Sequence, residues 1–166
     1  MTTGTTRWVI GLRQQQKTQG SEPASGAGCG FCRIASGADK SVEVVCSGRD
    51  WVAFFPLEPA TPGHTLVIPR VHVADLWEAE PQLASELMEA VLQVGRAIFK
   101  ALSPEGMNLI TSAGSAAEQT IFHLHLHVVP RWHRDELGPI WPTGSRFEDA
   151  SIDRVAERIR EVCQSE

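Results

Sequence analysis

Apolar positions recur along this chain in two distinct rhythms, and the rhythm predicts the elements. Residues 1–28 carry one small apolar cluster, Trp8-Val9-Ile10, in a stretch of Thr, Gln, Gly and Ser too polar to build a core. They are expected to form a mobile N-terminal extension, with Ser25-Gly-Ala-Gly28 as the hinge into a single domain over 29–166. β-Branched and aromatic residues over 42–46 and 51–55 predict two short strands, and Ser47-Gly48-Arg49-Asp50 between them predicts a hairpin turn. Pro56 and Pro59 close the second strand, and Pro62-Gly63 leads into a buried strand at 64–68. Residues 73–80 predict a short helix. A longer helix begins at Pro81, with Leu83, Leu87, Val91, Val94 and Ile98 at helical spacing, and Ser103-Pro104 stops it. Residues 107–112 predict another strand. At 121–130, apolar residues alternate strictly with His123, His125 and His127, the period-two pattern of a strand with one buried side. After an irregular stretch to Phe147, a last helix carries Ile152, Val155, Ala156, Ile159 and Val162 along one face, with Cys163 beside them as a small core residue. Strands, a long helix and further strands with hairpin signals predict an α+β domain on a mostly antiparallel sheet, with a C-terminal helix.

The totals narrow the class without deciding it. A chain of 166 residues with 42% hydrophobic and 21% charged residues has the makings of one soluble globular domain. A net charge of −5 argues against broad nucleic-acid binding, which needs a basic face. No apolar run approaches the ~20 residues that cross a bilayer, and the N-terminus lacks the hydrophobic stretch of a signal peptide. The expectation is a cytoplasmic protein with no membrane partner. In that compartment Cys29-Gly-Phe-Cys32 suggests metal or redox chemistry rather than a disulfide.

Three of the chain's six histidines fall in the five residues 123–127. On a strand they would stand about 7 Å apart, two residue rises, and a merely structural strand would hold Thr, Ser or Lys there. Two chemistries fit. The imidazoles are metal ligands with an open position for water, or one of them is a nucleophile whose neighbours bind the anion it attacks.

His123-Leu-His125-Leu-His127-Val-Val resembles the motif that names the histidine triad (HIT) superfamily of nucleotide hydrolases and transferases. Three further blocks follow the family's order. Cys29-Gly-Phe-Cys32-Arg-Ile34 is similar to the opening of its zinc-containing bacterial members. Pro62-Gly-His64-Thr-Leu-Val-Ile-Pro69-Arg-Val-His72 resembles its second block, and Gln119-Thr120 its Gln-Ser/Thr pair. The resemblance implies a HIT-like fold and cleavage of a nucleoside monophosphate from a phosphoanhydride or phosphoramidate. His125 would be the nucleophile, its tautomer fixed by the His123 carbonyl, and His127 the phosphate binder. Gln119 and Thr120 would donate to the phosphate or the leaving group. It also implies a structural zinc held by Cys29, Cys32, His64 and His123, with His72 a surface or supporting residue. Phe31, Ile34, Phe54 and Leu57 would line a purine-nucleotide pocket with Ser112 nearby, and two copies would pair through the long helix and an edge strand.

Some positions depart from the family pattern. Pro56 stands where many relatives carry an Asp for the ribose hydroxyls, and a proline ring offers neither N–H nor carboxylate. Ser112 replaces an Asn, and Glu118 a Gly. Pro56 and Ser112 motivate a second reading, a nucleotide-binding or regulatory module with little turnover. A dinucleoside polyphosphate hydrolase or phosphorylase of the diadenosine tetraphosphate type is a further alternative, as is a zinc hydrolase with the triad itself as ligands.

Overall fold

The computed structural model describes residue 26 and residues 28–141 and 149–165. The expected N-terminal extension lies almost wholly outside them. The elements run α1 (Gly30–Ala35), β1 (Val44–Ser47), β2 (Trp51–Phe54), β3 (Thr65–Pro69), α2 (Pro81–Leu102), β4 (Gly106–Ile110), β5 (Leu126–Arg131) and α3 (Asp149–Cys163), with single 3₁₀ turns at Leu76–Glu78 and Ser115–Ala117. The five strands form one sheet in the order β1-β2-β3-β5-β4, every neighbour antiparallel. This is the α+β architecture that the sequence predicts.

Alternation along the strands divides the core into two layers. Ala53, Val67, Leu126 and Val128 face α2 and pack with Leu87, Ala90, Val91, Val94 and Ile98. Val52, Phe54, Leu66 and Ile68 face the other way and are covered by Phe31, Ile34 and Ala35 of α1. Pro81 starts α2 where a missing N–H costs nothing, and Ser103 ends it in a left-handed conformation at φ 48°, its N–H donating to the Phe99 carbonyl. α1 is short, but the Arg70 guanidinium just past β3 donates to the Ala35 carbonyl and ties its end to the sheet. Register then places the chemistry. His127 lies opposite Leu66 of β3 and Ile110 of β4, mid-sheet on the α1 side, and His64 projects toward that side one residue before β3.

Several expectations need correction. Residues 73–80 make only one 3₁₀ turn, because Asp75 accepts from the N–H groups of Trp77 and Glu78 and the extended backbone resumes at Ala79. The histidine stretch is not one strand: the ladder begins at Leu126, so His123 and His125 precede it. Nor does it have a polar side, since Leu124 and Leu126 are buried and so are His123 and His125. Both sides of this segment are covered, one by α2 and the other by α1. α1 itself answers to no helical signal, being one turn and a half long. The α3 stripe does not join the core: Ile152, Val155, Ile159 and Val162 are exposed, and so is Cys163.

Leu87 is 1% exposed at the centre of the α2 layer. Leu87→Ala is expected to lower unfolding free energy by about 2–5 kcal/mol in a denaturant titration, through lost burial and the cavity left behind.

Candidate active site and metal centre

The site is assembled where the β3 end, the 111–125 segment and α1 meet. His125 Nδ1 lies 2.7 Å from the carbonyl oxygen of His123. A carbonyl only accepts, so the proton sits on Nδ1 and Nε2 keeps its lone pair. Thr111 Oγ1 donates to the His125 carbonyl at 3.0 Å, holding the same residue by its backbone. Phe31 packs edge-on against the His125 ring with centroids 5.4 Å apart.

His127 is oriented by a second chain of hydrogen bonds. The Ala60 N–H donates to His64 Nδ1 at 3.1 Å, so a neutral His64 carries its proton on Nε2. That nitrogen donates to His127 Nδ1 at 2.9 Å, which leaves the His127 proton on Nε2. The two rings, with centroids 5.0 Å apart, thus offer complementary groups: a lone pair on His125 and an N–H on His127. Gly63, at φ 81°, makes the turn that brings His64 into place, a conformation glycine adopts without strain.

All four rings of this cluster are held toward their neutral form. Burial lowers the pKa of His64, His123 and His125, and it lowers His127 to about 4 with help from the neighbouring His125 and His64. Neutral imidazole is the form that attacks phosphorus or binds a metal.

The metal-ligating groups converge on a different set from the expected one. Cys29, Cys32, His72 and His123 offer ligand atoms within 4.8 Å of one another. His123 Nδ1 is 3.5 Å from each cysteine Sγ, and His72 Nδ1 is 3.3 Å from Cys32 Sγ. His64 is not part of this group, because Ala60 and His127 take both of its ring nitrogens. His72, expected to be peripheral, takes its place. The donor set suits a tetrahedral soft-to-borderline cation and is complete with four protein ligands. The His123 Nε2 N–H donates to the Pro69 carbonyl at 3.0 Å, which fixes the tautomer and leaves Nδ1 free to ligate. Burial and the adjacent Cys29 raise the Cys32 thiol pKa, a cost that a divalent cation would reverse by taking both thiolates. Of the three triad histidines only His123 belongs to the cluster found among the described residues; His125 and His127 stand outside it.

Other expected site residues divide. Gln119 is buried, its Oε1 accepting from Gly114 N–H and its Nε2 donating to the carbonyls of Ala74 and Ile121. Its amide group donates to one carbonyl of its own loop and to one after β3, so it ties the two segments together rather than meeting a phosphate. Thr120 is exposed beside it, and Ser112 is half-buried. Phe31, Ile34 and Phe54 pack together in the core layer between α1 and the sheet, with Phe54 only 1% exposed, and Phe31 reaches the His125 ring. Leu57 is 78% exposed and alone of the four presents a surface. Arg131 is fully engaged by Asp135, Asn108 and the Gly138 carbonyl, and its guanidinium holds the Asp135 carboxyl down to about 2.

A model of the HIT domain family matches residues 39–134. The chain is 36% identical over 133 residues to Protein hit of Bacillus subtilis, covering 79% of this chain and 91% of that one. It belongs to the HIT family. Among its relatives are an adenylylsulfatase of Arabidopsis thaliana, 31% identical across 79% of this chain and 65% of that protein, and an adenosine 5'-monophosphoramidase of Schizosaccharomyces pombe, 32% identical across 69% and 84%. The crystal structure of a Bacillus subtilis HIT family member superposes with a TM-score of 0.73 at 31% identity, over 81% of this chain and 96% of that one. A zinc-bound histidine triad protein from Mycobacterium smegmatis gives 0.64 at 31% identity, over 86% and 100%. Among the described residues, no helix is long and apolar enough to cross a membrane.

The depressed histidines make stability pH-dependent. The unfolded chain takes up protons near pH 6.5 while the folded His127 resists until about pH 4. Stability is therefore full above about 6.5 and is lost as pH falls toward 4. Melting temperature measured from pH 7.5 to 4.5 should fall monotonically, and the fall should lessen in His127→Gln.

Proposed function

We propose that this HIT protein is a nucleotide hydrolase or nucleotidyl transferase working through a covalent nucleotidyl–His125 intermediate. The observation that carries the reading is the pairing of tautomers: a lone pair at His125 Nε2 beside an N–H at His127 Nε2. In the first step His125 Nε2 bonds to the phosphorus of a nucleoside monophosphate group while the bond to the leaving oxygen or nitrogen breaks, and its electrons leave with that group. The His127 N–H donates to a nonbridging oxygen as charge develops there. Water then attacks the phosphorus, the N–P bond breaks, and the imidazole recovers its lone pair. Thr120, with an exposed hydroxyl on the adjoining loop, is the candidate donor to the leaving group.

Purine nucleotide conjugates are the proposed substrates, in line with the two adenylyl-directed relatives. Pro56 cannot bind the ribose hydroxyls as a carboxylate would, so nucleoside recognition rests more on shape around Leu57. A zinc ion bound by Cys29, Cys32, His72 and His123 would supply structural cross-linking: four protein ligands leave no place for a substrate or water. The chain is further proposed to pair with a second copy. Met88, Leu92 and Phe99 form an exposed apolar row on one flank of α2, next to the edge strand β4 with its exposed Leu109.

On an adenylated phosphoramidate substrate, His125→Ala should lower kcat/KM by about three orders of magnitude or more, and His127→Ala by about a hundredfold. Turnover that survives in His125→Ala removes the nucleophile assignment. Metal analysis should find one zinc per chain in the wild type and substantially less in Cys29→Ser. Light scattering should give twice the chain mass, and Leu92→Asp should halve it.

A further inference from the structure

The segment that carries the nucleophile is not stitched into the sheet. The β5 ladder starts at Leu126, so His123-Leu-His125 is held by other means. Leu124 N–H donates to the Val73 carbonyl at 2.7 Å, and Thr111 anchors the His125 carbonyl. The His125 ring itself has one hydrogen-bond partner among the described residues, the His123 carbonyl. His123 is wholly buried, and its ring has one nitrogen on the Pro69 carbonyl and the other between the two cysteine sulfurs.

We propose that the metal centre aims the nucleophile, with His123 as the link: its ring would be fixed by the ion while its carbonyl fixes His125. His123 is thus a positioning residue for His125, and it acts through one backbone carbonyl. α1 reinforces the link. Phe31, lying between Cys29 and Cys32 on the same turn, presses edge-on against both rings, at 5.9 Å from His123 and 5.4 Å from His125. One turn of chain therefore supplies two ligands and the wall that keeps both rings from swinging. Without a cation, His123 Nδ1 faces only sulfur at 3.5 Å, a weak partner, and the link loosens. The inference rests on His125 being the nucleophile for its catalytic meaning, but not for its geometry.

The test reads that geometry directly. The full chain, labelled with ¹⁵N-histidine and loaded with zinc, should show in long-range ¹H–¹⁵N spectra a His125 protonated on Nδ1 and protected from solvent exchange. Chelation should speed that exchange at least tenfold and average the tautomer signature, and added zinc should reverse both. An unchanged His125 signal, while His123 reports loss of the metal, overturns the proposal. Should stripping the metal unfold the chain, His72→Asn decides, since it removes one ligand while leaving residues 123 and 125 unsubstituted. The His72 ring also packs edge-on against His123 at 5.2 Å, so His72→Cys separates lost ligation from lost packing. His72→Asn is expected to shift His125 in the same direction and to lower kcat about tenfold with KM within twofold. His72→Cys, which restores a four-ligand set, should recover both. A folded His72→Asn with reduced zinc and a wild-type His125 signal contradicts the proposal. Because the spectra need no substrate, their failure is distinguishable from failure of the nucleophile assignment, which His125→Ala tests.

Discussion

The hydrogen bond from His125 Nδ1 to the His123 carbonyl is the interaction on which the site depends. It decides which ring nitrogen carries the lone pair, and no other tautomer of a neutral His125 leaves Nε2 able to attack. The fold arranges this bond within three residues by bending the chain ahead of β5 instead of pairing it.

A second chain of hydrogen bonds, from Ala60 through His64 to His127, makes the opposite choice for the neighbouring ring. Both chains end on backbone groups, the His123 carbonyl and the Ala60 N–H, whose own protonation does not change with pH. Burial keeps the rings neutral and the surroundings poor in competing water. The same burial makes every hydrogen bond in the cluster count for more, and leaves an imidazolium poorly accommodated. A lone pair and an N–H donor side by side, both on neutral rings, are suited to an anionic phosphoryl group.

Much of this was legible in the residues, and the parts that were not share a cause. Period-two and helical spacing gave the strands and α2, because half-buried elements must repeat their apolar positions. The block Pro62–His72 carries a histidine on either side of β3, but spacing alone did not say which of them reaches the cysteines. His64, just before β3, meets His127, whereas His72, past the end of β3, meets Cys32 of α1. That assignment depends on strand register and on where the strand stops. Gln119 illustrates a different limit: an amide beside a triad reads as a phosphate donor, yet backbone groups of Gly114, Ile121 and Ala74 take its three bonds. The apolar face of α3 was read correctly as a stripe and wrongly as core, since periodicity reports a face without naming what covers it. Thr111, which clamps His125, gave no signal beyond its place at the end of a strand.

The central claim is that His125, and no other histidine of the cluster, bonds to phosphorus during turnover. Rapid acid-free quench of the wild-type protein with an adenylated phosphoramidate, followed by mass spectrometry of its peptides, tests this most directly. The expected result is one adenylyl group, bonded through nitrogen, on His125. A modification found on His64, His123 or His127 instead, or none during steady turnover, would contradict it.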